Sequence, residues 1–140
     1  GYPEKHPESP NLTADLKNLK TKVDAGADFI TTQLFFQNQA YFNFVEQCKR
    51  IGITIPILPG LLPILSLAQV KRFCSMCGAG LPVELENQLN EANEDEHPKI
   101  GSEWATQQVR SLLKKGAPGF HIYALNKSKS TVNILQSLQN

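Results

Sequence analysis

Cysteine, charge of one sign and long apolar runs are all scarce in this sequence, and each absence excludes a class of protein. The 140 residues include three cysteines, too few and odd in number for the disulfide framework of a small secreted domain. The net charge is +1, so no general attraction to nucleic acid or to an anionic membrane is expected. No apolar run approaches the ~20 residues that span a bilayer, and no basic segment followed by a hydrophobic run indicates export. We therefore expect a cytoplasmic protein without nucleic acid or membrane as a partner.

Apolar residues make up 41% of the chain, an ordinary value for a globular protein and too high for a disordered one. A chain of this length can bury about two-thirds of the surface that its unfolded form exposes. The sequence begins at Gly1 and not at methionine, which suggests a fragment of a longer protein.

Helical and extended patterns alternate along the chain. The first predicted helix is capped by Asn11 or Thr13 and ends at Gly26, and its apolar stripe has helical spacing. Further helices are predicted at residues 38–51, 66–77, from 82, 98–115 and 130–138. Strands are predicted at residues 29–34, 53–58 and 120–125, and residues 59–63 are predicted to break the second strand.

This alternation predicts parallel strands joined by right-handed helical crossovers. Three strands cannot close a barrel, and a parallel sheet needs cover on both faces. The fold class that fits is α/β, with residues 1–140 forming the second half of an eight-stranded parallel (β/α)8 TIM barrel. A small doubly wound domain is the alternative, but no glycine-rich phosphate turn joins a strand to a helix.

In such a barrel the active site lies at the carboxyl ends of the strands. Gln33, Tyr123 and Asn126 occupy such positions, where they serve either as ligand contacts or as caps of the strand-to-helix turns. Asp15 and Lys22 share one stripe of the first helix with Asn18. That stripe is either a solvated border or a site for a polyol or phosphate.

Cys74 and Cys77 form a C-x-x-C pair, which invites a zinc or redox interpretation. Cys74 lies about two turns into its predicted helix, whereas a reactive thiol is favoured at a helix N-terminus. No further ligands stand at a matching spacing. We therefore predict no metal site and assign Cys74 to the core.

Several motifs, in order along the chain, resemble those of the methylenetetrahydrofolate reductase family. They are Gly1-Tyr2-Pro3-Glu4-Lys5-His6-Pro7-Glu8, Asp15-Leu16-Lys17-Asn18-Leu19, Lys22-Val23-Asp24-Ala25-Gly26-Ala27, Thr32-Gln33-Leu34-Phe35-Phe36, Pro59-Gly60-Leu61-Leu62-Pro63 and Phe120-His121-Ile122-Tyr123-Ala124-Leu125-Asn126. The resemblance is weakest between Gly78 and Glu103. It covers only the second half of that family's barrel.

The resemblance implies a barrel that holds FAD and reduces 5,10-methylenetetrahydrofolate to 5-methyltetrahydrofolate with NADH or NADPH. The full-length protein is expected to be a homo-oligomer. The implied cofactor contacts are Tyr2, His6, Asp15, Asn18, Thr21 and Lys22, with Thr21 standing where many members have arginine. The implied contacts to the folate substrate are Gln33, Gln69, Phe73, Tyr123 and Lys127. Gln33 is also implied in nicotinamide binding, and Lys127 replaces the usual arginine.

The resemblance places no catalytic residue in this chain, because the family's general acid is a glutamate in the first half of the barrel. The isolated fragment is therefore expected to be inactive. A non-catalytic half-barrel that binds a ligand or a partner is the alternative from another functional class.

Overall fold

The computed structural model describes residues 1–125 and 127–140 of the chain. Its helices are α1 (Leu12–Asp24), α2 (Asn38–Arg50), α3 (Leu67–Cys77), α4 (Val83–Glu91), α5 (His97–Lys114) and α6 (Ser128–Gln139). Its strands are β1 (Ile30–Thr31), β2 (Ile57–Leu58), β3 (Gly60–Leu61) and β4 (His121–Ile122). A short 3₁₀ helix, Glu94–Glu96, precedes α5.

The helices begin and end largely where their capping residues predict. Asn11, not Thr13, caps α1, because its side chain accepts a hydrogen bond from the Ala14 N–H. Ser66 caps α3 in the same way through the Gln69 N–H, and Gly78 ends that helix in the left-handed conformation. Gly26 follows α1 with a φ of +116°. The 3₁₀ helix before α5 was not predicted.

All strand pairs are parallel, as predicted. Strand β1 pairs with β2, and β3 pairs with β4. Because β2 and β3 are separated only by Pro59, the segment from 57 to 61 contacts β1 on one side and β4 on the other. The chain is therefore α/β with parallel strands.

The first residue extends this ladder beyond β1. The Gly1 amino group donates to the Thr31 carbonyl at 3.0 Å, and the Gln33 N–H donates to the Gly1 carbonyl at 2.6 Å. This alternation of bonds is the pattern of a parallel bridge opposite Thr32. It places Gly1 on the edge of β1 that β2 does not occupy.

All three predicted strands are longer than the observed ones: residues 29–34 form a strand only at Ile30–Thr31, and residues 120–125 only at His121–Ile122. Residues 53–58 yield a strand only at Ile57–Leu58, because the Ile53 N–H donates to the Cys48 carbonyl and so completes the end of α2. Residues 59–63 were predicted to break the second strand, which does end at Leu58, but a further strand, β3, follows at Gly60–Leu61 and was not predicted. Proline lacks an N–H but keeps its carbonyl, and the Pro59 carbonyl accepts from the His121 N–H at 2.9 Å.

Two apolar clusters hold the elements together. The first joins α1, α2 and α5 to the strands, with Phe35, Phe44 and Leu112 at its centre. The second joins α3 and α4 to the segments that follow the strands, with Phe36, Val70 and Leu85 at its centre. No helix in the described part of the chain has the length and apolar character needed to cross a bilayer.

Candidate functional site

The loop of residues 1–10 and helix α1 together form a small cavity of about 130 Å³. Five of the six residues expected to contact a cofactor line it: Tyr2, His6, Asp15, Asn18 and Lys22. Gly1, Phe44 and two leucines of α1 complete the lining. The cavity therefore offers an aromatic ring, a carboxylate and an ammonium group at one place.

Asp15 ties the loop to the helix. Its Oδ2 accepts a hydrogen bond from the His6 N–H at 2.9 Å. The Tyr2 and His6 rings pack edge to face with their centroids 4.3 Å apart. His6 Nδ1 in turn accepts from the Glu8 N–H at 3.1 Å. These contacts fix the two rings against the start of α1.

Thr21 lies outside this cavity. Its hydroxyl donates to the Lys17 carbonyl one turn earlier, at 3.1 Å, and the side chain is exposed. Asn18 and Lys22 are also largely exposed, but their side chains reach the cavity. The polar stripe of α1 therefore divides into a part that faces the cavity and a part that faces solvent.

Tyr123 bonds to the residue that precedes Gln33. The Tyr123 hydroxyl donates to the Thr32 carbonyl at 2.8 Å, and Gln33 is the next residue along the chain. The Gln33 Oε1 accepts from the Leu34 N–H at 2.9 Å, so its amide nitrogen is the donor available to a ligand. Burial raises the pKa of the Tyr123 phenol, which keeps the hydroxyl protonated as a donor. Both side chains follow a strand, as predicted.

Gln69 and Phe73 lie one turn apart on α3. Gln69 Oε1 accepts from the Leu65 N–H at 2.7 Å, and the side chain lines a cleft of about 330 Å³. Phe73 packs against the second apolar cluster, which Tyr123 also contacts. The structure thus brings Phe73 and Tyr123 to the same cluster.

Two residues near this region were missed by sequence reasoning. The Glu4 Oε1 accepts from the Gly80 N–H at 3.0 Å and so attaches the first loop to the segment before α4. Burial raises the pKa of the Glu4 carboxyl, although the Gly80 N–H acts in the opposite direction. The Arg72 guanidinium lies 5.5 Å from the centre of the Phe73 ring. No local pattern signals the contact of Glu4, because its partner is 76 residues away.

The structure places Lys127 in a different cleft from Gln69. It is the residue before α6, its side chain is exposed, and it lines a separate cleft of about 870 Å³ between α5 and α6. Its backbone N–H donates to the Ala124 carbonyl at 2.8 Å. Asn126, which we also expected in the mouth of the barrel, lies outside the described residues.

Neither cysteine of the C-x-x-C pair has the character of a reactive thiolate. Burial raises the pKa of Cys74 to about 11 and also raises that of Cys77. Both side chains pack against the second apolar cluster. In the described ranges, no group of three or more histidine, cysteine or acidic side chains is placed to hold a metal ion.

Comparison with known proteins relates this arrangement to one family. The sequence profile of methylenetetrahydrofolate reductase matches residues 1–139. The 5,10-methylenetetrahydrofolate reductase of Escherichia coli is 36% identical over 139 residues, which cover 98% of this chain and 47% of that protein. A probable methylenetetrahydrofolate reductase (NADPH) of Caenorhabditis elegans is 40% identical over 141 residues, 99% of this chain and 21% of that protein. The chain thus spans about half the length of the bacterial relative and less of the animal one.

A solved structure shares the fold at low sequence identity. It is an uncharacterized protein from Clostridium thermocellum that binds two copies of 5-methyl-5,6,7,8-tetrahydrofolic acid. The two chains superpose with a TM-score of 0.61 at 19% identity, over 99% of this chain and 51% of that one. On the profile match over nearly its whole length, this chain belongs to the methylenetetrahydrofolate reductase family.

Proposed function

We propose that this chain supplies the second half of the catalytic barrel of a flavin-dependent reductase. The full-length protein would reduce 5,10-methylenetetrahydrofolate to 5-methyltetrahydrofolate with NADH or NADPH as the reductant. The observation that carries the proposal is the cavity of Tyr2, His6, Asp15, Asn18 and Lys22, since five residues expected to bind one cofactor line one space. The cytoplasmic location and the homo-oligomeric state of the full-length protein remain predictions.

The residues of this cavity suit part of an FAD molecule. The Lys22 ammonium suits a phosphate group, and Asp15 can accept hydrogen bonds from ribityl or ribose hydroxyls. The Tyr2 and His6 rings supply aromatic surface. Thr21, which faces solvent, would contribute less than an arginine at that position. FAD supplies hydride acceptance and donation, and the protein positions the reactants around it.

The folate substrate would be held by the side chains that follow the strands. The Gln33 amide donates one hydrogen bond to the pterin ring, and Phe73 provides an aromatic wall. Tyr123 and Gln69 orient the same region through their bonds to Thr32 and Leu65. Lys127 lines the separate cleft between α5 and α6, so its proposed role is a positive charge toward a carboxylate at the far end of the substrate. The proton required to open the methylene bridge comes from a residue outside this chain.

The proposal is tested first by replacing Asp15 in the full-length protein. Asp15→Asn removes the charge but keeps an oxygen that can accept from the His6 N–H, so the loop should remain in place. FAD affinity should fall about tenfold or more, because a hydrogen bond to a charged group is worth about 1.5–3 kcal/mol. Fluorescence titration of the apoprotein with FAD measures the dissociation constant.

Asp28→Asn is the matched control, since Asp28 is exposed and does not line the cavity. Its FAD affinity should equal that of the wild type. An unchanged affinity in Asp15→Asn would remove Asp15 from the cofactor site. A wild-type protein that binds no FAD would contradict the proposal as a whole.

Gln33→Glu tests the substrate side of the proposal. A carboxylate cannot donate as the amide does and brings a negative charge into the mouth. Both half-reactions should slow, and oxidation of the reduced flavin by the folate substrate should slow more than reduction by NAD(P)H. Stopped-flow absorbance of the flavin follows the two steps separately.

Gln37→Glu is the control for this substitution, because Gln37 is exposed at the start of α2. Wild-type rates in Gln33→Glu would make Gln33 a turn residue without a role in binding. Folate binding without turnover in the unmodified full-length protein would favour the alternative, a non-catalytic binding module.

A further inference from the structure

The first loop contains a tight turn with Glu4 at its tip. The Lys5 N–H donates to the Tyr2 carbonyl at 3.3 Å, which closes the turn over Pro3 and Glu4. Proline is favoured at the first central position of such a turn because its φ is already fixed. Lys5 leaves the turn with a φ of +84°, a left-handed conformation that is uncommon outside glycine. The turn thus lies between Tyr2 and His6, whose rings border the cavity proposed for FAD.

This loop is attached to the rest of the chain on two sides. On the first side, the His6 N–H donates to the carboxylate of Asp15, which lines the cavity. On the second side, Glu4 Oε1 accepts from the Gly80 N–H at 3.0 Å. Residues 78–82, all of which the structure describes, lie outside the cavity. Glu4 therefore joins the cofactor side of the loop to a different part of the fold.

That part is the carboxyl end of α3, the helix that carries Phe73 and one other proposed folate contact. Gly78 ends α3 with a φ of +68°. A Cβ at Gly78 would lie 3.6 Å from the Lys5 carbonyl oxygen and 3.7 Å from Cγ of Pro7. The end of α3 thus lies directly against the loop, and Gly80, two residues later, receives the Glu4 carboxylate.

Tyr123 lies near the same two elements. Its ring packs against the second apolar cluster, as does Cys77 at the end of α3. The pKa of the Tyr123 phenol is raised by burial and further by the neighbouring Cys77 and Tyr2. The pKa of Cys74 is raised to about 11 by burial and further by the neighbouring Glu4 carboxylate. The first loop, the end of α3 and one proposed folate contact are therefore neighbours.

We infer that Glu4 is a positioning residue that couples the cavity proposed for FAD to the proposed folate contacts on α3. The cofactor holds the loop through Tyr2 and His6, and the Glu4 carboxylate holds the segment after α3 through the Gly80 N–H. A hydrogen bond to an ionised acceptor is stronger than one between neutral groups. In this scheme, which rests on the proposed function, each ligand strengthens the binding of the other.

Hydrogen exchange of the full-length protein gives a readout that does not depend on turnover. Mass spectrometry follows the peptide that contains Gly80. FAD should slow exchange in this peptide of the wild type, although residues 78–82 lie outside the cavity. Glu4→Ala should abolish the slowing, because the bond that links the loop to this segment is lost.

The second readout is the dissociation constant of 5-methyltetrahydrofolate at saturating FAD. Glu4→Ala should weaken this binding about fivefold or more, the usual size of coupling between linked sites. Fluorescence of the bound flavin reports the titration. Glu8→Ala is the matched control, since Glu8 is an exposed glutamate of the same loop. It should equal the wild type in both measurements.

Two conservative variants separate a positioning role from a general loss of structure. Glu4→Gln keeps an oxygen that can accept from the Gly80 N–H, so most of both effects should be retained. Glu4→Asp keeps the charge but is one methylene shorter, so its carboxylate does not reach Gly80 and both effects should be lost.

The outcomes distinguish this inference from the proposed function. A wild type that binds FAD without slower exchange at Gly80 would overturn the inference alone. Equal exchange and equal folate affinity in the wild type, Glu4→Ala and Glu4→Asp would also overturn it. A wild type that binds no FAD would contradict the proposed function, and this inference would fall with it.

Discussion

Gly60→Ala in the full-length protein should lower the free energy of unfolding by about 3 kcal/mol. A Cβ at this position would lie 2.3 Å from the Thr32 carbonyl oxygen and 2.8 Å from Cε2 of Tyr123. Neither atom can move freely, because the same Thr32 carbonyl accepts the hydrogen bond of the Tyr123 hydroxyl. The Gly60 N–H also donates to Thr32 Oγ1 at 2.8 Å. The added methyl group therefore pushes Gly60 away from Thr32 and from the Tyr123 ring.

Chemical denaturation of the wild type and the variant measures this loss. Gly119→Ala is the matched control, since its Cβ would meet only the flexible end of Leu58, at 3.3 Å. We expect the control to unfold near the wild-type midpoint. Equal midpoints for Gly60→Ala and the wild type would show that the backbone at Gly60 can move away from Thr32 without cost. The proposed positioning of Tyr123 by this contact would then be wrong.

The helices were predictable because their signals are local. Asn11 and Ser66 each accept from an N–H three residues later, and glycine after the last turn provides the left-handed conformation that ends a helix. Such signals lie within a few residues of one another. They set the bounds of α1 and α3 to within one or two residues.

The strands were less predictable because pairing depends on distant residues. Ile53 has the β-branched character of a strand, yet its N–H bonds to the end of α2 and its side chain enters the first cluster. Gly60 and Leu61 carry turn signals on both sides, but their partners in β4 make them a strand. A strand exists only where its neighbour is, and the position of the neighbour is a property of the whole fold.

The candidate site was predictable to the extent that the family resemblance supplied residue positions. The loop of residues 1–10 has no periodic pattern that would bring Tyr2 and His6 to α1. The bond from the His6 N–H to Asp15 spans nine positions, and that from the Gly80 N–H to Glu4 spans 76. Contacts of this kind follow from the path of the chain and are not encoded in local spacing.

The half-barrel proposal makes a further prediction with a large effect. Residues 1–140, expressed alone, should show no sharp thermal transition. Strand β4 pairs only with β3 among the described residues, and the outer side of β1 is paired only at Gly1. Open strand edges of this kind are closed in a complete barrel.

Helix α6 gives a second reason for this expectation. Val132 and Leu135, three residues apart on one face, are 46% and 44% exposed. In a complete barrel this face would pack against a helix of the other half. Each Å² of apolar surface left in water forfeits about 25 cal/mol. Because domains are stable by only about 5–15 kcal/mol, a chain with open strand edges and this exposed apolar face should not unfold cooperatively.

Circular dichroism during heating, with and without the separately expressed other half of the parent protein, measures this effect. Addition of that half should produce a cooperative transition and restore FAD binding, whereas a bystander protein at the same concentration should do neither. Val132→Asp should prevent this recovery because it places a charge in the proposed contact. Val83→Asp should not, since Val83 is an exposed valine on α4, far along the chain from that face. A sharp transition of the monomeric 140-residue chain, unchanged by the other half, would show that these residues form a self-sufficient domain, and the half-barrel proposal would be wrong.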